Sequence, residues 1–441
     1  MGIVSGVTPT EPSTLLLNHV RMVLPDGEVR TGNVVVERGI ITALTEHPSA
    51  APLIQQDNVH VIEAEGAWLT PGLVDLQLNG AYGMDFSANN TPHTLMGLLE
   101  KLPAHGLSHV AATLITQPEL NTLNAINTVE ETLFLQKKPT IGSANPPAPL
   151  TQLAGIHLEG PFLSPEKAGT HATSVLDKRQ REGFSPAAIT PLLSPNLKLM
   201  TIAPELDPSG ETIAWLTNTQ GITVWAGHCA PTERDLMRAI DNGLSGVTHW
   251  MNAMAPLHHR TPGIGGLALV DDRLTVSVIA DGHHIHPAML AALMRCKPRH
   301  QVVLVSDAMA LSGLPEGTTL PFAGTQVTLT QGKALNTAGQ LAGSVQLLDQ
   351  VIRNVVRWQV ASFPQAIRMA TETPARVLGI AEQAGHIRVG APAHLVLWDP
   401  KTLDITHTWL GGQLAYHAQQ PSKTHQRLSH AFNAYPTASA S

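Results

Sequence analysis

The sequence predicts an α/β protein: a (β/α)8, TIM-like barrel with a small β-sandwich domain built from both chain termini. Three observations predict it. Short β-rich runs alternate eight times with helix-length amphipathic segments through the middle of the chain, the pattern of a parallel sheet with crossover helices. Strand-and-turn patterns without helices flank that region on both sides. Charged and imidazole side chains recur just after the β-rich runs, where a closed parallel barrel keeps its chemistry.

In chain order, residues 15–17, 33–36 and 40–44 are β-rich and are separated by Pro25-Asp26-Gly27 and Arg38-Gly39 turns. The pattern returns at 385–390, 394–398 and 406–410. One sheet domain from residues 1–68 plus 385–441 follows, with the polar tail after 419 expected to be poorly ordered. Residues 69–384 are left for the barrel. Its strands are expected at 73–78, 109–115, 153–158, 197–203, 222–226, 246–248, 275–280 and 302–305. Helices are expected between most of them, among others at 94–102, 118–135 and 231–239. Residues 136–150, with Gly142 and three prolines, read as a surface loop. Residues 317–343 read as a hairpin excursion before a helix at 344–358.

Composition narrows the function classes. A chain of 441 residues with 43% hydrophobic and 14% charged residues is long enough for a barrel with an added domain, and is not disordered. The net charge of −7 gives no bulk attraction to nucleic acid, so an anionic ligand needs a local basic cluster. Two cysteines, Cys229 and Cys296, make no disulfide framework and point to a reducing, cytoplasmic compartment. No signal peptide and no run of about 18 apolar residues is found, so no membrane role is expected.

The strand ends carry the chemistry. The first expected strand ends in Asp75-Leu76-Gln77-Leu78-Asn79, the third in His157-Leu158-Glu159, and the fifth in Gly227-His228. The sixth ends in His249, the seventh in Asp281-Gly282-His283-His284, and the eighth in Ser306-Asp307. Glu159, His228 and His249 form a nitrogen–oxygen ligand set with an open position, suited to one divalent metal, most simply Zn2+. Such a metal polarises a carbonyl and acidifies water. Asp307 can take a proton from that water and hand it to a leaving nitrogen. Together these residues describe metal-assisted amide hydrolysis.

Each residue alone has a plainer reading. Either histidine can be a hydrogen-bonded core residue, and Glu159 and Asp307 can cap helices. His258 and His259 read as solvated loop residues, His283 and His286 as polar residues at a helix start, and Cys229 as a small buried residue. Recurrence at the same end of successive strands is what favours a site.

The motifs match a known family. PGLVDLQLNG from Pro71, GIHLEGPF from Gly155, KAGTH from Lys167, APE from Ala203 and AGH from Ala226 occur in order. They are followed by THWMNAM from Thr248, IADGHH from Ile279, VSDA from Val305, LAGS from Leu341 and ATETPARVLG from Ala370. With them the chain resembles the N-acetylglucosamine-6-phosphate deacetylase family of the amidohydrolase superfamily, over about residues 15–415.

The resemblance implies Glu159, His228 and His249 as metal ligands and Asp307 as the catalytic acid/base. It implies that Thr170, His171, Asn252, Ala253, His284, Leu341, Ala342 and Gly343 line the substrate site. Arg260 and His284 are implied as a phosphate clamp completed across a homodimer interface, and a guanidinium fork suits a phosphate. Most of the superfamily carries a His-x-His pair on the first strand. Here Gln77 and Asn79 stand there, amides that are poor transition-metal ligands, so one metal is expected, with these two as hydrogen-bonding supports.

The implied reaction removes acetate from N-acetyl-D-glucosamine 6-phosphate. The alternative is the same chemistry on N-acetylgalactosamine 6-phosphate, since the contact to the sugar's C4 hydroxyl has no mark in the sequence. A barrel that only senses a sugar phosphate would be marked by loss of Asp307 or of a ligand, and all four residues are present.

Overall fold

A computed structural model describes residues 14–46, 58–137 and 149–418. The expected poorly ordered tail after 419 and most of the expected loop at 136–150 lie outside these residues. Eight parallel strands form one sheet in chain order: Leu73–Leu78, Leu107–Ile115, Gln152–Glu159, Leu197–Ile202, Thr223–Ala226, Gly246–Val247, Thr275–Ile279 and Val302–Val305. The eighth closes on the first just past its end: Asp307 N–H donates to Gln77 O (2.9 Å) and Asn79 N–H to Ala308 O (2.9 Å).

Alternation of side chains builds two cores from one barrel. Leu114, Ile156, Leu158, Met200, Ile202, Val224, Val276, Val278 and Leu304 face outward into a large cluster shared with the surrounding helices. Ala111, Leu199, Trp225, Ile279, Val303 and Val305 face inward and fill the barrel, each buried apolar side chain contributing about 1.5–3 kcal/mol. Gly246 leaves room for Trp225, whose indole would lie 2.4 Å from a Cβ there. Continued toward the strand ends, the inward parity delivers Ile115, Glu159 and Ile279 to the barrel mouth, where they line one cavity.

The helices over Glu119–Gln136 and Glu233–Asp241 fall within two residues of expectation, and the helix expected at 94–102 is Pro92–Leu99. The helix expected at 344–358 is shorter, Leu348–Arg357. Residues 341–344 instead run beside the end of the eighth strand, with Ser344 N–H on Asp307 O and Met309 N–H on Ser344 O (both 3.0 Å). The excursion is a three-stranded antiparallel sheet, Thr319–Phe322, Thr325–Thr330 and Lys333–Asn336.

The small sheet joins Thr14–Val23, Val29–Glu37, Ile40–Thr45, Val59–Glu63 and Trp68–Pro71 to Leu395–Trp398, Ile405–Leu410 and Gln413–His417. A bulge at Asn18-His19 lets the first strand pair with one neighbour at each end. The turn at Gly39 bonds back to residues 391–393, so the sheet curls around its own apolar core. The run 385–390 expected as a strand is a loop: Gly385 and Gly390 sit at φ +91° and +88°, outside the extended region. No helix among the described residues is long and apolar enough to cross a membrane.

Candidate active site

Glu159, at the last position of the third strand, meets two imidazoles. Its Oε1 lies 2.9 Å from His249 Nε2 and 3.2 Å from His228 Nε2, and the two Nε2 atoms are 3.0 Å apart. All three side chains are buried, and one ligand atom from each falls within 4.8 Å of the others. Among the described residues no other such group comes together.

The donor set fits a metal cation. His228 Nδ1 lies 2.9 Å from Lys167 O, a pure acceptor, so that nitrogen carries the proton and Nε2 offers a lone pair. Burial alone would push Glu159 up and His249 down. Their contact reverses both: the imidazoles hold Glu159 well below the usual carboxylate range, and Glu159 raises His249. A cation held here by Glu159, His228 and His249 would compete with protons for the same ligand atoms.

The backbone is strained where these side chains turn inward. His228, His249 and Asp307 have φ of 47°, 34° and 46°, the left-handed region that costs an L-residue about 1–2 kcal/mol. Each stands two residues past the end of a barrel strand, and all three line the mouth. Gly169 (φ +59°) permits the close approach of the Lys167 loop, since a Cβ there would stand 3.1 Å from His228 Cε1.

Asp307 lies beside this group. Burial, then the charge of Glu159, raises its carboxyl to about 6. Asn79 Nδ2 donates to its Oδ1 (2.8 Å), and Gln77 Nε2 donates to Glu159 Oε2 (3.4 Å). Each first-strand amide therefore orients one carboxylate. Asn79 Oδ1 is buried without a hydrogen-bond partner among the described residues.

His171 packs edge-on against His228, with ring centroids 4.4 Å apart. Burial and His228 push it down to about 3, so the ring is neutral. Its Nδ1 accepts the Thr116 N–H (3.2 Å), which places the remaining proton on Nε2 as a donor. His284 Nδ1 is 2.7 Å from Asp281 Oδ2, and Asp281 Oδ1 accepts the N–H groups of His283 and His284 (2.8 and 2.9 Å). Asp281 thus fixes both the loop and the tautomer of His284.

One cavity of about 180 Å3 holds these groups, room for a small polar molecule and too little for a polymer. It is lined by Asn79, Glu159, Thr170, His171, His228, His249, Asn252, Ala253, His284, Asp307 and Leu341, Ala342 and Gly343. Two sequence-singled residues stand apart. Gln77 is buried behind Glu159. Arg260 is exposed on a loop with its guanidinium 3.1 Å from His259 Nε2, and does not line the cavity. Ile115, Ile279, Phe322 and Gly169 also line it. Of these, only the parity of Ile115 and Ile279 along their strands signalled a place at the mouth. His157 is a strut: Nδ1 reaches Leu76 O (3.0 Å) and Nε2 reaches Thr201 Oγ1 (2.8 Å).

A family model described as the amidohydrolase family matches residues 68–424. The chain is 35% identical over 365 residues to an N-acetylglucosamine-6-phosphate deacetylase of Danio rerio, covering 80% of this chain and 86% of that one. It is 30% identical over 402 residues to an N-acetylgalactosamine-6-phosphate deacetylase of Escherichia coli O157:H7, covering 91% and 99%. The crystal structure of N-acetylglucosamine-6-phosphate deacetylase from Pasteurella multocida superposes with a TM-score of 0.80 at 26% identity, over 91% of this chain and 99% of that one. The chain belongs to the amidohydrolase family, in the branch of the N-acetylglucosamine-6-phosphate deacetylases.

Proposed function

We propose that this protein hydrolyses the acetamide of N-acetyl-D-glucosamine 6-phosphate to D-glucosamine 6-phosphate and acetate, in amino-sugar catabolism. The observation that carries the reading is the convergence of Glu159, His228, His249 and Asp307 on one small cavity at the barrel mouth. The relatives' names supply the substrate class. Glu159, His228 and His249 hold one divalent cation, most simply Zn2+, which when bound polarises the amide carbonyl and acidifies water.

The chain's own groups do the rest. Asp307, ionised above about pH 6, takes the proton of the attacking water and returns it to the leaving nitrogen. Asn79 holds the carboxylate in place. The Nε2–H of His171 donates to the oxygen that gains charge. The barrel is assigned to 69–384 and the small sheet to 1–68 and 385–441, with the strand Trp68–Pro71 crossing that boundary to pair within the small sheet; a reducing cytoplasmic setting suits Cys229 and Cys296, both free.

The phosphate end lies toward Asn252, Ala253 and His284. Asp281 grips the His284 ring at Nδ1 and the loop before it at two backbone N–H groups, and so holds the ring toward the phosphate end. Asp281→Asn weakens that grip. We expect KM for the phosphorylated substrate to rise about tenfold with kcat changed less than about twofold. Equal loss in both constants would reject the positioning role.

Arg260 completes the clamp from a second copy in a homodimer, which its exposed place outside its own cavity supports. Arg260→Ala should cost about 10–100-fold in kcat/KM on phosphorylated substrate and little on the unphosphorylated sugar. Mixing Arg260→Ala and Asp307→Asn subunits should restore activity, because one site then receives Asp307 from itself and Arg260 from its partner. No recovery on mixing would place the arginine within its own subunit.

The galacto epimer is the second reading, favoured by the 30% identity that runs over 99% of the N-acetylgalactosamine-6-phosphate deacetylase of Escherichia coli O157:H7. Acetate release from both hexosamine phosphates, with and without chelator, tests the reaction and the epimer together. Release from neither with metal added would reject the proposal.

A further inference from the structure

We infer that Ile115 and Phe322 form a rigid apolar wall that sets the length of the acyl group the enzyme removes. The inference rests on the proposed deacetylation and deepens it. The cavity is divided: Asn252, Ala253 and His284 come from the ends of the sixth and seventh strands, whereas Ile115 ends the second, across the barrel from the sixth. Phe322 joins Ile115 from outside the barrel, at the end of the first strand of the excursion.

Two contacts place this wall beside the acyl carbon. Ile115 is the register partner of Glu159 on the neighbouring strand, about 4.8 Å away across the sheet, so the two side chains point into the mouth together. The next residue, Thr116, donates its N–H to His171 Nδ1, which ties the oxyanion donor to the end of the strand that carries Ile115. The amide carbon carries three substituents. Its oxygen belongs with His171 and the ligand group, and its nitrogen belongs with Asp307. The third, a methyl, is left facing Ile115 and Phe322.

The wall does not yield. Ile115 and Phe322 are 7% and 5% exposed, and both pack in one cluster with Met309, Leu311, Val327 and Ala342. The Ile115 backbone is tied by its N–H to Ser87 Oγ (3.0 Å). A longer acyl chain therefore meets packed side chains rather than open space. This gives the excursion a use: it carries an aromatic ring to a mouth whose own strands supply mostly polar groups.

The test is kcat/KM on N-formyl-, N-acetyl- and N-propionyl-glucosamine 6-phosphate. Wild type is expected to favour acetyl over propionyl by about tenfold or more, the usual worth of one methylene against a fixed wall. Phe322→Ala and Ile115→Ala should each raise the propionyl-to-acetyl ratio about tenfold. Ile115→Val, a one-methyl change that the fold absorbs, should move it the same way by less. Ile115→Phe should depress acetyl turnover while sparing formyl.

Ratios unchanged in all soluble variants, with every substrate falling together, would overturn the wall and leave the deacetylase reading standing. A metal-loaded wild type that releases no acyl group from any of the three would overturn both.

Discussion

Asp307→Asn is expected to keep its fold and its metal and to lose about 10²–10⁴ in kcat. The substitution preserves shape and keeps an oxygen for the Asn79 amide, which now donates across 2.8 Å. What it removes is the ability to take a proton. Burial and the charge of Glu159 hold Asp307 near 6, far above an ordinary aspartate, which suits a group that must accept a proton and release it within one turnover. The wild-type rate should accordingly fall as pH drops through about 6, where Asp307 becomes protonated, and a bound cation moves that midpoint lower.

The same shift makes a statement about stability. A carboxyl whose folded-state value lies above its unfolded value favours the fold below the unfolded value of 3.8 and loses that contribution as pH rises through 6. At pH 8 the native ionised Asp307 is therefore a burden that asparagine does not carry, and the Tm of metal-free Asp307→Asn should be no lower than that of wild type. A variant with most of its activity intact would remove Asp307 from the chemistry. One that is inactive because it unfolds at lower temperature would leave a structural role in its place.

Much of this site is visible in the sequence because barrels impose periodicity. A β-rich run fixes the parity of its side chains, and the run's end fixes which of them reaches the mouth. Glu159, His228, His249 and Asp307 could be singled out on that ground, even where the sixth strand is only Gly246–Val247. The 385–390 segment misled because its central residues alternate like a strand, while the glycines at its two ends hold it in a turn.

Of the apolar side of the cavity, strand parity marks Ile115 and Ile279, and nothing marks Phe322. Ile115 and Phe322 come from different elements, and only packing through Met309, Leu311 and Ala342 brings them together. Nor could the first-strand amides be assigned individually, because hydrogen-bond partners across a barrel depend on its closure. In the fold, Gln77 serves Glu159 and Asn79 serves Asp307. In the sequence, Asp281 stands among the strand-end residues without a role of its own, because its hold on His284 depends on the conformation of the turn between them.

Glu159→Gln should be the most damaging change to the metal centre. Glutamine keeps the volume and can still meet Gln77, but it takes the single negative charge out of the ligand set. Two consequences follow from the geometry. The carboxylate is what raises His249, so its loss lets burial push that imidazole down. An amide oxygen is also a much weaker partner than a carboxylate for a divalent cation held by only two imidazoles.

Purified Glu159→Gln is thus expected to carry well under one metal ion per chain and to show below about 1% of wild-type kcat/KM, with excess zinc restoring only part of it. Thermal unfolding separates this from simple misfolding: added zinc should raise the wild-type Tm through binding to the folded state and should leave that of the variant nearly unmoved. A variant that retains stoichiometric metal and the zinc-dependent rise in Tm would mean that the cation sits elsewhere in the cavity. The strand-end geometry of Glu159, His228 and His249 would then need another purpose.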